Sequence, residues 1–93
     1  MNAFVVATPA DGGSVVMGGR NHVMVIYDTA DPKTCRLPHA SLADIGDTVQ
    51  VTNIQSGTIT VRNPGDTTTI GSVIDSKMML FRRSGSGAWD GPY

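Results

Sequence analysis

The sequence contains no glutamate, only two lysines and only three leucines in 93 residues. Strong helix formers are therefore scarce, and long helices are not expected. There is one cysteine, Cys35, so no intrachain disulfide can form. A lone thiol suits a reducing compartment, and its expected role is that of a small buried hydrophobe. No apolar run approaches the roughly 20 residues that span a bilayer, which leaves no membrane partner to expect. No basic start followed by an apolar stretch marks a secretory signal, so synthesis in the cytoplasm is expected. The net charge is −1, which excludes broad electrostatic attraction to nucleic acid.

What the chain does have is valine and threonine, ten of each, punctuated by eleven glycines and five prolines. β-branched residues lose χ1 freedom in a helix and pack well on a pleated sheet. The expectation is an all-β fold in a small single domain over residues 1–93, an antiparallel sandwich or barrel-like meander. A chain of this length buries only about 60–65% of its unfolded surface, so its own core stabilises it marginally. Partner subunits are a common remedy, and five methionines and several two-sided apolar segments point the same way.

Along the chain, residues 1–9 read as a first strand or an N-terminal arm, with Phe4, Val5 and Val6 exchanged between subunits. "SVVMGG" reads as a brief strand. Residues 23–27 are apolar at every position and predict a strand covered on both faces, with Val23, Val25 and Tyr27 facing a core or a neighbouring subunit. "CRLPHASLADIGD" predicts an ordered connection with at most one helical turn, in which Leu37, Leu42 and Ile45 pack inward. "DTVQVTN" and "GTITVRN" alternate with period 2, and the "IQSG" between them predicts a hairpin. "NPGD" predicts a type II turn with Gly65 at positive φ. "TTTIG" and "SVID" are short strands. "SKMMLFRR" is a robust one, with Met78 and Phe81 apolar, and Trp89 after "SGSG" is expected to pack against it.

Chemistry is sparse. His22, His39 and Cys35 with Asp28 and Asp31 are the candidate metal ligands by type, but their spacing matches no zinc or calcium pattern. His39 and Ser41 lie close, yet nothing marks a nucleophile elbow or an oxyanion site. "DGGSVVMGGRN" lacks the Gly-Lys-Ser/Thr and the following helix of a phosphate loop. "FRR" near Trp89 is one basic pair on a near-neutral chain, which reads as an ordinary surface rather than a base-stacking platform. No catalytic residue, cofactor or metal is expected, and the chain reads as not an enzyme.

From residue 37 the text, "LPHASLADIGDTVQVTNIQSGTITVRNPGDTTTIG" followed by "KMMLFRRSGSGAW", resembles a β-module of bacteriophage virion proteins. In that module "LP", a spacer and "GDTV.V.N" precede a "GT.TV..P.G.TI" hairpin, then a late apolar strand and an "SG.W" turn. The resemblance covers residues 37–93. It implies a capsid decoration (cement), head-fibre or tail-fibre protein, typically trimeric. Tail-fibre modules sit in long repetitive chains, and this sequence has no repeat or heptad. The expectation is therefore a cement protein on the outer surface of a phage head, a homotrimer whose partner is the major capsid protein. The alternative is a tail-fibre, tail-tip or adaptor component binding a host receptor or another tail protein. The expected subunit or capsid contacts are Phe4, Val5, Val6, Val23, Val25, Tyr27, Met78 and Phe81.

Overall fold

Among its described residues, the computed structural model has eight short strands, most of them built from apolar and β-branched residues, and one short 3-10 turn. The structure describes residues 3–7, 12–19, 21–28, 30–65, 67–84 and 88–93, with only the backbone described for residues 3–7 and 40. The strands are β1 (Ala3–Ala7), β2 (His22–Tyr27), β3 (Lys33–Arg36), β4 (Thr48–Asn53), β5 (Ile59–Arg62), β6 (Thr69–Val73), β7 (Met78–Arg83) and β8 (Trp89–Asp90). The 3-10 turn is Ala40–Leu42. The all-β expectation holds. The sheets are mixed rather than purely antiparallel.

The larger sheet has five strands in the order β1-β2-β4-β7-β8, and the smaller has three in the order β3-β5-β6. β1, β2 and β4 run parallel, with Val23 beside Val49 and Val25 beside Val51. β7 returns antiparallel to β4 and sets Phe81 beside Val49. In the smaller sheet β3 is parallel to β5, and β6 is antiparallel to it.

The hairpin expected between "DTVQVTN" and "GTITVRN" does not form. β4 and β5 are consecutive but lie in different sheets, and residues 54–58 carry the chain across. Asn53, fully buried, makes this corner: its amide Nδ2 donates to the carbonyls of Gly57 and of Val73 (3.1 Å), and its Oδ1 accepts from Gln55 N–H at 3.0 Å. A buried amide satisfied on both ends replaces the turn hydrogen bonds a hairpin would have supplied.

"NPGD" does join two antiparallel strands, β5 and β6, but Gly65 is not at positive φ, so the turn is not type II. Asn63 caps it instead, its Oδ1 accepting from the N–H groups of Thr67 (2.8 Å) and Thr68 (3.1 Å). "KTCR" is a strand the sequence reading folded into a connection. "SVVMGG" forms no strand of its own: Ser14 bridges to Arg36, and Gly12 and Val15 donate to Thr34 and Arg36, covering the free edge of β3.

The inner faces meet in one core. Val23, Val25, Tyr27, Val49, Val51 and Phe81 come from the larger sheet, and Cys35, Ile59, Val61 and Val73 from the smaller. Trp89 closes one end, its indole N–H donating to the Pro38 carbonyl at 2.8 Å. Gly71 lets β6 approach the larger sheet, since a Cβ there would sit 2.9 Å from Phe81 Cζ.

Strand direction defines two ends. Tyr27, Asn53, Val73 and Met78 lie at one, which we call the upper end. Asn21, Leu37, Asp47, Asn63 and Trp89 lie at the other, the lower end.

Candidate interaction surfaces

The residues that could carry chemistry are engaged in local structure. His22, half-buried on β2, has its Nδ1 2.5 Å from Thr48 Oγ1 on the neighbouring strand. His39 begins the 3-10 turn: its Nδ1 accepts from Ser41 N–H at 3.2 Å and lies 2.9 Å from Ser41 Oγ, while its carbonyl accepts from Leu42 N–H at 2.8 Å. An Nδ1 that accepts from a backbone N–H places the neutral ring's proton on Nε2. Cys35 is buried, and desolvation pushes its thiol up to about 11, with a hydrogen bond to Tyr27 offsetting part of the rise. Such a thiol carries little thiolate at neutral pH. Among the described residues no three of His, Cys, Asp and Glu gather into a metal-binding group. Among them, too, no helix is long and apolar enough to cross a membrane.

The contact residues expected from sequence divide into three sets. Val23, Val25, Tyr27 and Phe81 are at most 1% exposed and belong to the domain's own core. Assigning them to a partner surface is corrected: on a strand only alternate residues face outward, and these are the inward ones. Met78 is 63% exposed and does lie on the surface. Phe4, Val5 and Val6 form the middle of β1, whose backbone pairs within the same chain with Val23, Met24 and Val25. The contacts expected of their side chains lie outside the described residues.

Segment 23–27 was expected to be covered on both faces, and here its outward residues Met24 and Ile26 are half-buried. They share the outer face of the larger sheet with Thr48, Gln50, Thr52 and Leu80. Leu42 and Ile45, expected to pack inward, are exposed instead, because the 3-10 turn lifts its segment off the core and only Leu37 turns in.

The exposed aliphatic side chains sort by end. Ile54, Ile74 and Met78 lie at the upper end, in the β4–β5 crossing and around the β6–β7 turn. There Lys77 N–H donates to the Ile74 carbonyl and Asn53 N–H to the Lys77 carbonyl, which holds the two loops together. Ser76 in this turn sits at φ +58°, a conformation that disfavours any residue with a Cβ.

At the lower end Val16 and Leu42 flank a groove of about 390 Å³, floored by Met17 and Pro38 and closed by His39 and Pro64. A second hollow continues it past Met17 and Leu42 to Asp44. Sequence reasoning missed these residues. The signal available was an exposed-type polar loop that still carries one or two aliphatics, as in "NIQSG", "VIDSK" and "SLADIGD".

No protein-family model matches the chain, and no curated protein matches it. Among solved structures it is similar to a chain in one described as the structure of a chaperone-substrate complex, at 16% identity and a TM-score of 0.75. The match covers 96% of this chain and 17% of that one. At that identity the likeness concerns the fold: the two-sheet arrangement of this chain recurs as a segment of a much longer one.

Proposed function

We propose that this chain is a structural virion protein without catalysis, a capsid decoration (cement) protein that binds the outer surface of a phage head as a homotrimer. Its partner is the major capsid protein, and its place is the capsid surface after synthesis in the bacterial cytoplasm. One observation carries the reading. The exposed aliphatic side chains gather at the two ends of a small two-sheet body, while the histidines and the thiol are held in local structure. A body whose two ends carry exposed aliphatic side chains is suited to joining things. The resemblance of residues 37–93 to phage virion modules supplies the particle.

The mechanism is thermodynamic. A protein that binds the assembled shell and not its separated subunits stabilises the shell by linkage. Three attachment points on one rigid body raise the effective concentration of each, so weak single contacts add to firm attachment. The test heats particles lacking the protein, with and without its addition, and follows DNA release. A higher release temperature with saturable binding is expected. Absence of binding, or binding with no change in release temperature, would sink the cement reading.

The second reading is a tail-fibre, tail-tip or adaptor component that binds a host receptor or another tail protein. It is favoured by the recurrence of this fold as a 17% segment of a longer chain. Binding to tails or host cells, with none to heads, would select it.

A further inference from the structure

An open sheet edge is a row of unpaired backbone N–H and C=O groups. Folded chains blunt such edges with short strands, bulges, charges, proline or a covering segment. The two sheets of this molecule have four edges, and three are blunted. β3 is covered: Gly12 and Val15 donate to the Thr34 and Arg36 carbonyls at 2.9 and 2.8 Å, and Arg36 N–H donates to the Gly13 carbonyl at 3.3 Å. β6 breaks its ladder with β5, which passes from Gly71 to Thr69 without using Ile70, and it carries a glycine in mid-strand. β8 is two residues long and ends in the exposed Asp90, two residues before Pro92. β1 is different. It runs five residues, Ala3–Ala7, with no charge, proline or glycine and an unbroken register against β2. Among the described residues nothing pairs with its other side.

We propose that the free edge of β1 pairs with the same edge of a second copy of this chain, antiparallel about a two-fold axis through Val5. In that register Ala3 of one copy stands opposite Ala7 of the other, Phe4 opposite Val6, and Val5 opposite Val5. Alanine meets alanine at both ends, an aromatic residue meets a β-branched one on either side of the centre, and no charge meets its own copy. The occupant is a copy of the chain because the segment is complementary to itself in length, size and charge. An isologous contact needs only this one patch on each subunit. Pairing joins two sheets of five strands into one of ten and leaves neither β1 edge open. The proposal does not rest on the trimeric reading. A two-fold contact at β1 and a three-fold contact elsewhere can coexist on one subunit and then give a hexamer.

Val5 is in register with Met24, a half-buried position on the outer face of β2, so the fold is expected to tolerate a polar residue there. Far-ultraviolet circular dichroism checks that it does. Sedimentation of the wild type should give an even number of copies. Val5→Lys and Val5→Asp each set like charges opposite one another, and each alone should halve that number. An equimolar mixture should restore it, because residue 5 opposite residue 5 lets the two changes neutralise each other. If the charged variants fail to fold, Val5→Cys decides. Directly opposed residues of an antiparallel pair have Cα atoms about 4.5–5.5 Å apart, within disulfide reach, so mild oxidation should link two copies. The wild type, whose single Cys35 is buried, should stay unlinked. Charged variants that keep the wild-type mass, a mixture that stays dissociated, or a Val5→Cys protein that does not cross-link in that case would overturn the contact. So would a wild type that is monomeric or trimeric at its highest soluble concentration. Trimeric variants of a hexameric wild type would support the contact and keep the trimeric reading, whereas monomeric variants of a dimeric wild type would support the contact and remove that reading.

Discussion

The two sheets use the same alternation and present opposite outer faces. Inward, they are alike: Val23, Val25, Val49 and Val51 in one, and Cys35, Ile59, Val61 and Val73 in the other, are all buried. Outward, the larger sheet carries Met24, Ile26 and Leu80 among Thr48, Gln50 and Thr52, whereas the smaller carries Thr34, Arg36, Thr60, Arg62 and Ser72. Arg36 and Arg62 even stand side by side in register. Like charges directly opposed are unfavourable unless they are solvated or hydrogen-bonded, and here Arg36 donates to the Gly12 carbonyl at 2.8 Å and Arg62 to Thr69 Oγ1 at 2.7 Å, so this face is polar and internally satisfied. Periodicity thus locates the core in both sheets. The composition of the skipped positions is what distinguishes the polar outer face of the smaller sheet from the partly apolar one of the larger.

The join between the sheets gives the largest expected effect. Trp89 belongs to the larger sheet, yet its indole N–H is bound to Pro38, just beyond the smaller sheet's β3. Trp89→Ala should cost about 3–5 kcal/mol, read as a fall in the denaturation midpoint, because it opens a cavity and leaves that carbonyl without its donor. An unshifted midpoint would mean that the two sheets do not depend on this closure.

The buried thiol on the smaller sheet comes next. Its folded pKa of about 11 lies above the ordinary 9.0, so the folded state holds the proton more tightly than the unfolded one. The stability this confers is fully present below pH 9.0 and is lost as pH rises through about 11. Its size is about 2–3 kcal/mol. Comparing wild type with Cys35→Ala across that window isolates it from tyrosine and lysine titration. Parallel pH profiles would remove the effect.

Gly71→Ala tests how closely the smaller sheet approaches the larger. The added Cβ would meet the buried Phe81 ring at 2.9 Å, and overpacking of this kind costs about 1–3 kcal/mol. The smallest effect is a gain: Ser76→Gly relieves the φ of +58° and should stabilise by about 0.5 kcal/mol in thermal melts.

Part of this architecture is written in the period-2 pattern. β4 and β5 follow from it, while β2 and β7 follow from continuous apolar runs, and the all-β class and the turn at Asn63 and Pro64 from composition and turn residues. Pairing is less legible. A hairpin between β4 and β5 is the economical reading of two alternating strands with a glycine between them. The outcome depends on Asn53, whose amide satisfies carbonyls on two separate segments once the chain has crossed. That is a tertiary fact with no local mark. β3 was missed because "KTCR" is too short and polar to show a period. The exposed ends were missed because aliphatic residues were expected to go inward, as Leu37 does and Leu42 and Ile45 do not.

The parallel pairs β1–β2, β2–β4 and β3–β5 bear on how the chain reaches this state. None can be joined by a tight turn, and in each a long stretch of chain must close before the first ladder bond forms. β5 and β6 are the exception among the longer strands, joined through a local turn that Asn63 already caps. Folding should therefore start at that hairpin and proceed slowly, on the millisecond-to-second scale typical of non-local β topologies. While the larger sheet is incomplete, β2 is an apolar strand without its neighbours, and a crowded solution offers it other edges to pair with. Yield on refolding should fall with protein concentration for this reason, before any property of the finished surface comes into play.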